Sequence, residues 1–193
     1  AELPGNVLNA RYGLMETNYK LENYNAAIVA AKKLLNTEKV SEETRRKAQY
    51  YIGKSYFMDK NYAKAEEAFK NIADNTKSEE GAEAQYRIAQ INYLQNNKEK
   101  AEKICMDFIQ SKTPHLYWLA KGVILLGDIY VDRQDYFQAK ATYKSILDNY
   151  QTPDDGIIET VEKKMQIIRD IEKAKEKGEP VEDIEIHFEE GEE

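Results

Sequence analysis

The sequence predicts an all-α protein, in which four helical hairpins follow one another and one more helix closes the row at the carboxyl end. Three observations lead to this fold class. The 193 residues are 41% hydrophobic yet include only nine Gly and four Pro, so the chain can bury a core and contains few helix breakers. Apolar residues recur at helical spacing in segments rich in Ala, Leu, Lys and Glu. The same residue types also return every 36 to 38 residues.

The repeat is most regular where each hairpin would enter its second helix. An Asn or Asp recurs at steps of 38, 36 and 38 residues, at Asn23, Asn61, Asn97 and Asp135. An alanine lies four residues after each of them, at Ala27, Ala65, Ala101 and Ala139. A side chain of this type can accept a hydrogen bond from the first free amides of a helix, so each of the four is predicted to be an N-cap.

The beginnings of the first helices carry signals of their own. Ser41 and Ser78 are each followed by two glutamates, which complement the positive end of a helix dipole, and Thr113 is followed by Pro114. The predicted hairpins span residues 7–37, 41–75, 78–111 and 113–150. Residues 154–178 form an amphipathic helix that is predicted to cap the exposed face of the last hairpin, and residues 179–193 form an acidic tail.

Charge is distributed unevenly along the chain. The last fifteen residues hold eight acidic residues and no Lys or Arg, whereas residues 1–178 hold 27 acidic and 28 basic residues. Such a mixed body is typical of solvated helix faces, so nucleic acid is not a predicted partner. The longest stretch free of Asp, Glu, Lys and Arg is ten residues, which is too short to cross a membrane, and no membrane insertion is predicted.

Residues suited to catalysis or metal binding are few. Cys105 is the only cysteine, and neither His115 nor His187 has a Ser, Cys or carboxylate at a spacing that indicates a catalytic triad or a metal site. The sequence contains no Gly-rich phosphate loop. We therefore predict no enzyme activity and no cofactor. Cys105 is interpreted as a buried structural thiol, and Trp118 as a core or inter-repeat packing residue.

Two copies of the repeat share small and aromatic residues at matching places. These are Ile52-Gly53, Tyr56, Asn61-Tyr62, Ala65, Phe69 and Ile72, and then Leu126-Gly127, Tyr130, Asp135-Tyr136, Ala139, Tyr143 and Ile146. They resemble the signature positions of the tetratricopeptide repeat, of which the other two hairpins are looser copies. Gly53 would let the paired helices approach closely, and Phe69 would fill the space against the next hairpin. The resemblance implies a right-handed superhelical solenoid.

The resemblance also implies where a ligand binds, because members of this family take extended peptides or partner helices in a concave groove lined by the first helices. The corresponding residues are Tyr12, Glu16, Tyr19, Tyr50, Lys54, Phe57, Tyr86, Gln90, Tyr93, Ile124, Asp128 and Val131, with Lys121 at the rim. Each set of three is spaced i, i+4, i+7 and so shares one helix face. The polar row of this groove does not reproduce the Lys and Asn pairs with which chaperone-binding members hold a terminal carboxylate.

We interpret the chain as a non-catalytic scaffold that binds a peptide or a helix of a partner protein of unknown identity. One alternative is a structural spacer or self-association segment of a longer multi-repeat protein, with association through the acidic tail. Another is RNA binding, which the nearly neutral body opposes. The repeat length and the link at residues 146–153 resemble those of bacterial cell-envelope assembly and Tol-Pal-associated members, which favours the periplasm or cell envelope.

Overall fold

The computed structural model describes residues 4–38, 40–152 and 154–178, and every regular element in these ranges is an α-helix. The helices are α1 (Pro4–Lys20), α2 (Tyr24–Leu35), α3 (Glu42–Met58), α4 (Tyr62–Lys70), α5 (Glu79–Leu94), α6 (Lys98–Gln110), α7 (Leu116–Asp132), α8 (Tyr136–Asn149) and α9 (Ile157–Lys177). The predicted class, an all-α array of consecutive hairpins, is confirmed for these ranges. The predicted acidic tail lies outside the described residues. The chain divides into two compact units between Leu119 and Ala120, inside α7.

In the first unit, helices that are adjacent in sequence pack together. α1 packs on α2, α3 on α4 and α5 on α6, while α2 also packs on α3 and α4 on α5. In addition, α1 contacts α3 and α3 contacts α5. The first helices of successive hairpins therefore lie next to one another and can share a surface.

The core of the first unit is shared between neighbouring hairpins. Met15 and Leu34 of the first hairpin pack in one cluster with Ala48 and Ile52 of α3. The next cluster joins a fully buried Phe69 in α4 to α5 residues that include Ile88 and Ile91. Because each cluster draws on two hairpins, no hairpin of this unit buries its apolar face alone, and stacking is required for stability.

Glycine allows the paired helices of two hairpins to approach closely. A β carbon on Gly53 would lie 2.6 Å from Cε1 of the Phe69 ring, which is closer than atoms can pack. A β carbon on Gly127 would meet the ring of Tyr143 in the same way. The small residues were predicted to allow this close approach, but the structure places an aromatic ring of the same hairpin directly against each glycine.

All four hairpins turn through the same backbone motif. The residue before each Asn or Asp has positive φ, at Glu22 (59°), Lys60 (56°), Asn96 (61°) and Gln134 (59°). At Lys60 the backbone N–H donates to the Phe57 carbonyl at 2.9 Å, and the next N–H, of Asn61, donates to the Tyr56 carbonyl at 2.8 Å. These two hydrogen bonds are those of a Schellman motif, which ends the first helix and sets the direction of the second.

The predicted second-helix N-caps are confirmed at two of four positions. Asn61 accepts a side-chain hydrogen bond from Lys64 N at 3.4 Å, and Asp135 accepts one from Gln138 N at 3.1 Å. Asn23 and Asn97 occupy the N-cap position but accept no such bond, so the prediction is wrong there. Their backbone angles match those of Asn61, so the turn itself does not depend on the cap.

The first-helix caps follow the sequence signals at two positions and differ at the third. The Ser41 hydroxyl accepts from Thr44 N at 3.1 Å, and the Ser78 hydroxyl accepts from Gly81 N at 3.2 Å. α7, however, begins at Leu116 rather than directly after Thr113. The Thr113 hydroxyl donates instead to the Thr76 carbonyl at 2.7 Å, and this hydrogen bond connects the loop before α7 to the loop before α5.

In the second unit, α9 packs on α8. Ile157, Val161, Ile168 and Ile171 on one side of α9 are each at most 2% exposed, which matches the amphipathic pattern of the sequence. The Lys140 ammonium on α8 also lies 2.6 Å from a Glu172 carboxylate oxygen on α9. α9 therefore covers apolar surface of the last hairpin, as predicted for a capping helix.

Candidate functional site

Nine of the predicted groove residues lie on α1, α3 and α5 of the first unit, and we call this set the first-helix face. They are Tyr12, Glu16, Tyr19, Tyr50, Lys54, Phe57, Tyr86, Gln90 and Tyr93. Tyr86 is buried, with 6% of its surface exposed, and the other eight are partly exposed. They can share a surface because α3 contacts both α1 and α5.

Aromatic rings join α1 to α3 at this face. The ring of Tyr51 packs edge to face against Tyr19, at 5.3 Å between centroids, and against Tyr50, at 5.6 Å. Its hydroxyl donates to Glu16 Oε1 at 3.2 Å. Burial, with the nearby Glu16 carboxylate as the next cause, raises the pKa of Tyr51 above its usual value. Tyr51 therefore stays protonated and holds Glu16, a role that sequence reasoning assigned to no residue.

A buried carboxylate interacts with polar and charged side chains of α3 and α5. Glu83 has a side chain that is 2% exposed, and it accepts from the Tyr50 hydroxyl at 2.5 Å and from Arg87 Nε at 3.1 Å. The Lys54 ammonium lies 3.7 Å from the same carboxylate. Burial, and then Glu83, raise the pKa of Tyr50 far above its usual value. We call Lys54, Glu83 and Arg87 the charge cluster.

The Arg87 guanidinium is surrounded by aromatic rings. Its central carbon lies 5.0 Å from the centroid of Phe57 and 5.7 Å from those of Tyr86 and Trp118. Its Nη1 donates to Gln90 Oε1 at 3.1 Å. Burial acts to lower the pKa of Arg87, but Glu83 together with Tyr86 and Tyr50 outweighs it, so the pKa is raised overall and the group remains charged.

Sequence reasoning did not place Glu83 or Arg87 at the site. Their spacing, i and i+4 along α5, is the spacing of a helical ion pair and was the one available signal. Trp118 was predicted to be a packing residue, and it is: it is 6% exposed, and its ring lies 5.8 Å from that of Tyr86 in α5. The tyrosine pair at 50 and 51 gave no indication that its second member would reach α1.

The remaining predicted groove residues lie in the part of α7 that belongs to the second unit. Ile124, Asp128 and Val131 are buried, at 5% to 6% exposure, and Lys121 is partly exposed. Asp128 accepts from the Tyr143 hydroxyl at 2.5 Å and from the Lys164 ammonium at 2.9 Å. Burial raises the pKa of Asp128 in spite of Lys164. We leave these four residues out of the first-helix face because they belong to the second unit, whereas the face is defined within the first.

The cysteine and the described histidine, whose side chains could serve in catalysis or metal binding, occupy structural positions. Cys105 is fully buried, which confirms its interpretation as a structural thiol. His115 lies with Nε2 3.1 Å from the Lys77 carbonyl, and His187 lies outside the described residues. In the ranges that the structure describes, no three His, Cys, Asp or Glu side chains are grouped to hold a metal ion. No helix in these ranges is long and apolar enough to cross a membrane.

The sequence matches a model of a known protein family. A family model described as a tetratricopeptide repeat-like domain matches residues 9–169, which is more than four-fifths of the chain. The matched range contains every residue of the first-helix face and of the charge cluster. No curated protein matches the sequence.

Proposed function

Because the chain belongs to the tetratricopeptide repeat-like family, whose domains generally mediate protein–protein interaction, we propose that its first-helix face binds a peptide segment or a helix of a partner protein. Domains of this family are typically non-catalytic. We accordingly propose a binding scaffold and no reaction. The observation that supports the proposal is the contact between aromatic side chains of successive first helices: Tyr19 and Tyr50 both pack on Tyr51, and Phe57 and Tyr86 both lie against Arg87.

The chemistry of the first-helix face supports peptide recognition. Tyrosine offers a large contact area with few rotatable bonds, and its hydroxyl can bond to a polar backbone. The rings here are already held, Tyr50 by Glu83 and Tyr19 by its edge-to-face contact with Tyr51. Side chains that are ordered before binding lose less conformational entropy when a partner arrives, so more of the contact energy appears as affinity.

Site-specific photo-crosslinking in the native cells tests this proposal. The photoreactive amino acid p-benzoylphenylalanine replaces Tyr12, Tyr19 or Tyr93 in separate variants, which exchanges one aromatic ring for another and preserves the fold. The matched control is Phe137 on α8, an aromatic residue that is 78% exposed and lies outside the face. After irradiation, mass spectrometry identifies the crosslinked peptide.

We expect the three variants in the first-helix face to crosslink the same peptide segment and the Phe137 variant not to. Crosslinks of equal yield at Phe137 would mean that binding is not confined to this surface. If none of the three positions in the face crosslinks, the proposed site is wrong.

A further inference from the structure

The Arg87 guanidinium has donors that the protein leaves unused. A guanidinium carries five N–H donors. In Arg87, Nε donates to Glu83 and Nη1 donates once to Gln90, and no other described residue accepts from the group. Three of the five N–H donors, two of them on Nη2, therefore have no acceptor among the described residues, and 11% of the side chain is exposed.

Aromatic rings surround the guanidinium that carries these donors. Phe57, Tyr86 and Trp118 lie within 5.7 Å of the guanidinium carbon, and they remove water from around the planar group. Cation–π contacts of this kind hold a guanidinium while leaving its N–H edge free. Parallel N–H donors along a planar edge match the two oxygens of a carboxylate.

The local charge also favours an anion. Lys54 and Arg87 carry two positive charges against the single negative charge of Glu83. Both oxygens of Glu83 are already engaged, Oε2 by Tyr50 and Oε1 by the two cations. The charge cluster therefore carries a net charge of about +1 in partly desolvated surroundings, where a carboxylate from outside would balance it.

We propose that the partner presents an Asp or Glu side chain to the charge cluster, and that Arg87 binds this carboxylate through two hydrogen bonds. This inference rests on the proposed function and names the chemistry of the partner. Arg87 is flanked by Phe57 of α3 on one side and Trp118 of α7 on another, so a segment that crosses the face passes over it. Such a segment reaches Arg87 with a side chain rather than with its end.

Selected peptides test the preference for an acidic side chain. Random decapeptides that lack tryptophan and are amidated at the carboxyl terminus are selected on the intact chain, and each binder is resynthesised with Asp and Glu changed to Asn and Gln. Trp118 is the only tryptophan of the protein and lies next to Arg87, so its fluorescence reports binding at the cluster. We expect affinity to fall about tenfold or more in the amide versions.

A triple and a double variant separate the cluster from its surroundings. Lys54→Met, Glu83→Gln and Arg87→Met together remove all three charges of the cluster, so none of them is left without a partner, and this variant should abolish the difference between the acidic and amide peptides. Arg46→Met with Glu80→Gln removes an ion pair of α3 and α5, at 3.0 Å, that lies outside the cluster. This control should keep the difference, and circular dichroism should show both variants helical.

Each outcome decides a different claim. Acidic and amide peptides that bind equally at the first-helix face would overturn the inference and leave the proposed function standing. A preference that survives in the cluster variant, or that is lost in the control, would also overturn the inference. A parallel selection with free carboxyl termini that yields binders where the amidated peptides yield none would overturn the choice of a side chain. If no peptide of either library binds, the proposed function fails and the inference fails with it.

Discussion

The hairpins α3–α4 and α7–α8 are built alike but use one equivalent position differently. In each, a glycine of the first helix faces an aromatic ring of the second, Gly53 with Phe69 and Gly127 with Tyr143. The residue after the glycine is Lys54 in one hairpin, 17% exposed at the first-helix face, and Asp128 in the other, 7% exposed. A position in the repeat therefore does not by itself determine whether a polar side chain faces a ligand.

The cause of the difference is what surrounds each side chain. Tyr143 carries a hydroxyl that donates to Asp128, and Lys164 of the capping helix supplies a positive charge. Phe69 has no hydroxyl to offer. Lys54 instead lies over the rings of Tyr19 and Tyr50, at 5.4 and 5.2 Å. One hairpin thus keeps its polar position partly exposed at the first-helix face, and the other uses it to bind its capping helix.

The largest difference between the hairpins should appear when these polar residues are removed. Asp128→Ala deletes two buried hydrogen bonds, one of them to a charged group, and should lower the free energy of unfolding by about 3 kcal/mol. Lys54→Met should cost at most about 1 kcal/mol, because Glu83 keeps Arg87 and Tyr50 as partners. Urea unfolding monitored by circular dichroism measures both.

A companion variant checks that burial of the polar group causes this difference. Asp128→Leu combined with Lys164→Met and Tyr143→Phe replaces the whole polar group by apolar side chains and should recover most of the loss. Equal losses for Asp128→Ala and Lys54→Met would contradict the assigned roles.

Overpacking at the helix crossing should lower the stability of the two hairpins equally, because both have a buried alanine at this position of the repeat. Ala65 and Ala139 occupy one position of the repeat and are both fully buried. Ala65→Leu and Ala139→Leu should each cost about 1–3 kcal/mol of unfolding free energy. Ala141→Leu, at an exposed position of α8, is the control and should leave the midpoint of thermal unfolding nearly unchanged. Unchanged stability in Ala65→Leu would contradict the placement of that residue at a helix crossing.

Stability should respond to pH with opposite signs at Asp128 and at Glu66, which lies in α4. Burial acts to raise the pKa of Glu66, but hydrogen bonds from Lys70 and Lys100 lower it overall. Ionised Glu66 therefore stabilises the fold above pH 4.5, the pKa of the unfolded state. This stabilisation is lost as the pH falls through the lower pKa of the folded state. The pKa of Asp128 is raised, so its contribution is full below pH 3.8 and is lost as pH rises through the folded pKa.

Unfolding midpoints at several pH values between 3 and 7 measure this contrast. The stability of the protein relative to a Glu66→Gln variant should grow as pH rises, whereas its stability relative to Asp128→Asn should decline. Parallel pH profiles for the two variants would show that the Asp128 site is not desolvated as the structure indicates.

The smallest expected effect concerns the turns, which both hairpins share. Lys60 and Gln134 are exposed residues with φ of 56° and 59°. Lys60→Gly and Gln134→Gly should each raise the free energy of unfolding by about 0.5–1 kcal/mol, because glycine adopts positive φ without steric cost and this gain exceeds its loss of chain entropy. Alanine at either position serves as the control and should bring no gain. A loss of stability with glycine would contradict the turn geometry.

Much of the fold was predictable because its signals are local. The helical spacing of apolar residues, the pairs of small and aromatic residues and the serine caps at Ser41 and Ser78 each involve residues close in sequence. The repeated Asn and Asp located the second helices even where Asn23 and Asn97 form no side-chain cap, since the backbone of the turn is the same in all four hairpins. The cell-envelope resemblance and association through the tail stay predictions.

Less of the candidate site was predictable, because its chemistry depends on residues far apart in sequence. Repeat spacing placed Lys54 and Asp128 in equivalent roles and passed over Arg87. In the structure Arg87 is held by rings from α3, α5 and α7, whereas Asp128 is bound to the capping helix. Apart from the i, i+4 spacing of Glu83 and Arg87, neither environment has a signal in any single repeat.

The sequence by itself determined the helices, their order and the hairpin that is repeated, since periodic burial and turn chemistry act between near neighbours. Only the tertiary structure decided which polar side chains are buried and which remain open to a partner. The physical reason is that the free energy of a charge depends on everything packed around it, and distant segments such as α9 supply those surroundings only once the chain has folded.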